Sequence, residues 1–231
     1  MSIRELLFAV ADIWMIAVGF TYGIKFIRNY KNYLLGIEWI IVATSGTNFL
    51  FYGILKAGHD SPLYAAASFL DAFSRSVGIT LILVLGLMKV THRYKPSAVV
   101  DIGAFALAAV VGFALVGYTE TIGNPAKVFF IVVNVLTTIF LLYFVKRLWG
   151  IGERGHAVWA AVATACGFVI ASIYDFVRIP GDDAEHTIFY ILALSSWGLQ
   201  MFVYYRAYRA FDAHNRRIDA QAVSGGATVA V

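Results

Sequence analysis

The sequence predicts an all-α integral membrane protein with seven transmembrane helices, its N-terminus outside and its C-terminus in the cytoplasm. Three observations predict it. Of 231 residues, 60% are hydrophobic and only 14% charged, against roughly 45–50% and about 25% in soluble domains. The apolar residues fall into seven runs, each long enough to cross a hydrocarbon core of roughly 30 Å, which takes about 20 helical residues. The basic residues gather on alternate loops.

The predicted spans are 3–27, 35–56, 62–90, 98–118, 126–148, 157–177 and 187–208. The runs are continuously apolar and broken by Gly, Pro and charge. Membrane strands would instead alternate over about ten residues. The first run opens with the acidic Glu5, reaches past Lys25 and lacks both a basic leader and a small-residue cleavage site, so it reads as a retained span. Within it, Gly19 and Gly23 form a small-residue packing face. Glu38 and Asp101 open the second and fourth spans, where acidic groups suit helix N-termini, and both read as ordinary end residues. Asp175 and Arg178, three apart at the outer mouth of the sixth span, read as an interfacial cap. Residues 1–210 make the transmembrane domain, and 211–231 read as a flexible cytoplasmic tail.

Orientation follows from Lys and Arg, which favour cytoplasmic loops. The first, third and fifth loops with the tail hold thirteen of the eighteen. The other side holds Arg4, Lys56, Lys127 and Arg178, and Arg75 lies inside a span. A multi-pass protein of the cell membrane is therefore expected, with the lipid bilayer as its first partner and room for a homo-oligomer.

Several function classes are disfavoured. The net charge of +4 sits at helix ends, without a patch of interleaved aromatics, so no nucleic acid is expected. No His, Cys or carboxylate cluster has metal-ligand spacing, and the five histidines lie in loops or at helix ends. Neither metal nor cofactor is expected. The one cysteine, Cys166, excludes a disulfide within the chain. Tyrosines at span ends suit an aromatic belt at the interfaces.

The chain also matches itself. At a shift of 120 residues, Trp39-Ile40-Ile41-Val42-Ala43-Thr44 aligns with Trp159-Ala160-Ala161-Val162-Ala163-Thr164. Phe69, Ser76 and Gly78 meet Phe189, Ser196 and Gly198 at the same shift. This pattern predicts a parallel duplication of three plus one plus three helices: repeat one 3–90, a linker helix 98–118, and repeat two 126–210. Parallel repeats are a transporter architecture, with substrate sites near the midplane. The layout resembles the sugar-transporting SWEET family, although no Pro-Gln pair of that type stands at the matching positions, so sugar is not supported as substrate. Microbial rhodopsins share the seven-helix topology, but Trp197, Gly198 and Gln200 stand where a retinal-binding lysine would be needed.

Polar groups inside hydrocarbon are expensive and usually mark a functional pathway. The third span carries Asp71 and Arg75 on one helical face. Asp12, Asn48, Asn134, Ser196 and Gln200 are expected at a similar depth on four other spans, and Ser196, Gln200 and Tyr204 form one stripe. Together they predict a central polar cavity. The leading expectation is a transporter or channel for a small organic solute, with Arg75 holding an anionic or carbonyl group and a carboxylate binding a proton or cation. The principal alternative is a membrane enzyme. Small seven-helix terpene cyclases are similar in length and span number, and Asp12 or Asp71 would then supply a buried acid. A sensor with a non-covalently bound ligand is the third reading.

Overall fold

Short polar residues start the first four helices. Ser2 and Glu5 form a capping box on α1 (Ile3–Tyr30), bonding each other's backbone N–H at 3.2 and 2.7 Å. Asn32, Ser61 and Ser97 each accept a backbone N–H at the start of α2 (Tyr33–Ile54), α3 (Pro62–Thr91) and α4 (Ala98–Gly117). The remaining helices are α5 (Asn124–Gly150), α6 (Arg154–Ile173) and α7 (Thr187–Ala227). The computed structural model describes residues 2–118 and 124–227, and no strand occurs among them. Seven helices are long and apolar enough to cross a membrane, so the chain is an all-helical, multi-pass membrane protein by length and composition.

Two elements depart from expectation. α7 does not end at Tyr208 but runs on to Ala227, through most of the segment expected as a flexible tail. Partners outside its own sequence hold this extension. Phe211 is buried, Asn215 donates to the Val90 carbonyl at 2.9 Å, and Asp219 pairs with Arg93 at 2.5 Å. Residues 228–231 lie outside the described residues. The second departure is inside α3, which is α-helical over Pro62–Phe73, π-helical over Ser74–Ile82 and α-helical again over Leu83–Thr91. Wide π turns are rare and appear mostly where function is served.

Chain neighbours are mostly space neighbours. α1 packs on α2, α2 on α3, α5 on α6 and α6 on α7, while α7 returns to α1. α3 also reaches α5, so α4 is left on the outside with α3 as its principal neighbour. α1 and α2 approach closely through glycine. A Cβ added at Gly23 would come 2.8 Å from the Gly36 carbonyl oxygen, and one at Gly19 would come 2.8 Å from Ala43 Cβ. The small-residue face read in the sequence is the face that packs here. The turn beyond α1 is tied to α3 by Lys89, whose Nζ donates to the carbonyls of Tyr30 and Lys31 at 2.8 Å each.

The core between α1, α2 and α7 is aromatic. Phe26 is fully buried, with Trp39, Tyr205 and Tyr208 packed edge-on to it. Trp39 is 2% exposed and donates from Nε1 to the Met201 carbonyl at 3.3 Å. Its counterpart in the repeated motif, Trp159, is 58% exposed. The two copies of the motif therefore present different faces to the bundle.

Candidate functional site

Arg75 is the second residue of the π segment, and it is held from every side. It pairs with Asp71 one turn earlier at 3.3 Å and with Asp175, which follows the end of α6. Its guanidinium lies over the Phe130 ring of α5 at 4.1 Å and over the Tyr174 ring at 3.7 Å. The Tyr174 hydroxyl donates to the second oxygen of Asp71 at 3.1 Å. The arginine side chain is 11% exposed and Asp175 17%, whereas Asp71 keeps 35%. Two carboxylates and two aromatic faces thus form a cage for one cation, and the cage ties α3 to α5 and α6. Asp175 is no interfacial cap. Arg178, its expected partner, instead donates to the Asp183 carbonyl at 3.1 Å.

About one turn beyond Arg75 lies a cavity between α3, α5, α6 and α7. Ile79, Asn134, Thr137, Thr138, Thr164 and Gln200 are among its lining residues. It measures about 30 Å³, room for one or two water molecules. Gln200 reaches across it to donate to the Ala163 carbonyl at 3.0 Å, above Gly167, where any side chain would overlap the amide. Tyr204, one turn along, meets the Thr164 hydroxyl at 3.0 Å. Of the stripe read on α7, Gln200 and Tyr204 face α6. Asn134 Oδ1 is buried without a partner, so the cavity has an acceptor to offer.

Not every residue expected in one polar layer is found there. Asn134 and Gln200 share the cavity, whereas Asp71 and Arg75 are not among its lining residues and lie one to two turns before Ile79 along α3. Asn48 instead donates to the Leu63 carbonyl at 2.9 Å, fastening α2 to the start of α3. Ser196 is half-buried on α7 and outside the cavity lining. Asp12 lies elsewhere, fully buried against α2, with Gly46 so near that a Cβ there would come 2.7 Å from its Oδ1. Neither Asp12 oxygen has a partner.

Glu38 is the residue that sequence reading missed. It is not an ordinary end residue: it is completely buried, and neither of its oxygens has a hydrogen-bond partner. Its position near the start of α2 suggested solvent, but α3 covers it. Among the described residues, no group of three His, Cys, Asp or Glu side chains is placed to hold a metal ion.

Compared with protein-family models, curated proteins and solved structures, the chain matches none.

Proposed function

We propose that the protein is a membrane transporter for a small polar organic solute, and that the arrangement described here is its closed state. One observation carries the reading: a polar cavity between four helices, with a caged cation about one helical turn away along α3 that ties three of those helices together. A cavity for one or two waters admits no organic solute, so loading it requires α3 to part from α5 and α6. The Arg75 cage is the latch that such a motion must open. Intramembrane charges, each unfavourable by at least about 2.5 kcal/mol on insertion scales, are more readily retained for a task than for stability.

In this proposal the N-terminus and the acidic turn at Asp182 and Asp183 face outward, and the basic loops face the cytoplasm. The three-plus-one-plus-three duplication belongs to the same reading, supported by the sequence match and by a fourth helix that leans on α3 from outside. The rival reading, an enzyme that protonates its substrate from a buried acid, draws support from Asp12 and Glu38. Among the described residues, no carboxyl lines the cavity, whose polar lining is chiefly threonine hydroxyls and the amides of Asn134 and Gln200, and transport is the stronger reading. The test is uptake into proteoliposomes across a panel of organic anions, cations and zwitterions. Uptake of a panel member above empty vesicles is expected, and no uptake by protein of verified fold in either membrane orientation would refute transport of these classes.

A further inference from the structure

We propose that Glu38 is a proton-binding site, seated in a pocket that the π segment of α3 builds around its carboxyl group. Glu38 is the sixth residue of α2, about 8 Å along the helix axis from Tyr33 at 1.5 Å per residue. Its side chain is fully enclosed. One wall is Gly78, where any Cβ would overlap the carboxyl oxygens. The other is Ser74, whose hydroxyl lies near the carboxyl and, like it, is buried without a hydrogen-bond partner. Both belong to the π segment Ser74–Ile82.

The pocket contains no counter-ion. No charged or titratable side chain of α1, α3 or α4 acts on Glu38, and no ion pair includes it among the described residues. A carboxylate there would be a buried charge with no hydrogen bond in place and one hydroxyl nearby, which hydrocarbon surroundings do not tolerate. The proton is therefore the occupant of the site. Binding is a simple exchange, one carboxylate taking one proton to give one neutral acid, with no other bond made or broken.

The pocket wall connects this site to the latch. Arg75 directly follows Ser74, so one rare helical segment lines the acid and carries the caged cation. Losing the proton leaves a charge that this wall must accommodate, and a π turn can pass to an α turn by a one-residue shift of register. That shift turns Arg75 relative to the rest of α3. The site itself stands on the geometry of α2 and α3. Its consequence, proton coupling of solute movement, rests on the transport reading.

The experiment is infrared difference spectroscopy on the full-length protein in neutral-lipid nanodiscs, stepped through pH. The expected result is a carbonyl band of a protonated carboxylic acid that disappears reversibly as pH rises and is lost in Glu38→Gln. Asp12→Asn, the control for a second carboxyl with both oxygens buried and partnerless, should retain it. If Glu38→Gln does not fold, Ser74→Ala replaces it and should shift the midpoint of the titration. Arg75→Lys, which keeps the charge but not the planar fork, should also shift that midpoint. A wild-type protein without such a band, or a band untouched by both Glu38→Gln and Ser74→Ala, would overturn the site. An unmoved midpoint in Arg75→Lys would overturn its link to the latch. No solute is involved, so failed uptake and failed titration are separate results.

Discussion

Arg75 neutralises two carboxylates, Asp71 on its own helix and Asp175 just past the end of α6, and this changes what a substitution there does. Arg75→Gln leaves Asp71 and Asp175 facing each other in a low-dielectric setting, and breaking a buried pair costs about 3–5 kcal/mol. We expect a large fall in the melting temperature of the detergent-solubilised protein. Asp71→Asn with Arg75→Gln still strands Asp175, so folding should return only when Asp175→Asn is added. The triple variant is expected to fold yet lose uptake, and full uptake by it would remove the cage from the mechanism. Gly23 invites a simpler test. Gly23→Leu drives a side chain into the Gly36 backbone, and overpacking of this kind costs about 1–3 kcal/mol or more. Thermal unfolding should show it, whereas Gly103→Leu, where nothing lies within 4 Å of an added Cβ, should change little.

At the scale of elements, α7 is capped by two acids from the preceding turn. Asp182 accepts from the backbone N–H of Ile188 at 2.8 Å and of Phe189 at 3.0 Å, and Asp183 accepts from Thr187 at 2.9 Å. The Asp183 carboxyl is held below its ordinary value of 3.8, chiefly by the Thr187 backbone N–H. A carboxyl lowered by folding adds stability above its unfolded value, and that contribution fades as pH falls through its folded value. Protection of the first turn of α7 against hydrogen exchange, taken relative to the intrinsic rate at each pH, should therefore fall in wild type when the pH drops below the ordinary carboxyl range. Asp183→Asn should respond less to the same change. The far end of α7 depends on contacts with α3 and the loop after it. Asn215→Ala with Asp219→Ala removes both tethers, and protease cleavage after Arg216 or Arg217 should then quicken while the seven spans stay intact.

For the whole molecule, alternate basic loops make a topological prediction. In a Cys166→Ala background, cysteines placed at the exposed Glu185 and Lys95 should be labelled by an impermeant reagent from opposite sides of the membrane. Labelling from one side would reverse the assignment of loops. The ring of helices, with α7 closing on α1 and α3 reaching α5, leaves α4 bearing only small buried residues, Ala104, Ala108 and Gly112. Phe105 and Val111 pack toward α3, while Ile102, Leu107 and Val110 are exposed, as a lipid-facing surface requires.

What the sequence determined by itself is whatever depends on local composition. Run length set the number of spans, and Gly19 and Gly23 announced a close helix contact. Asp71 and Arg75 were legible as a pair because four residues on a helix always meet on one face. Only the tertiary structure could bring Asp175 to Arg75 across 100 positions of sequence, turn Trp39 inward and Trp159 outward, or bury Glu38 under Gly78. In uniformly apolar helices, periodicity hardly distinguishes the lipid-facing side from the packed side. Rotation about each helix axis was therefore left to packing, and packing decided which polar groups meet.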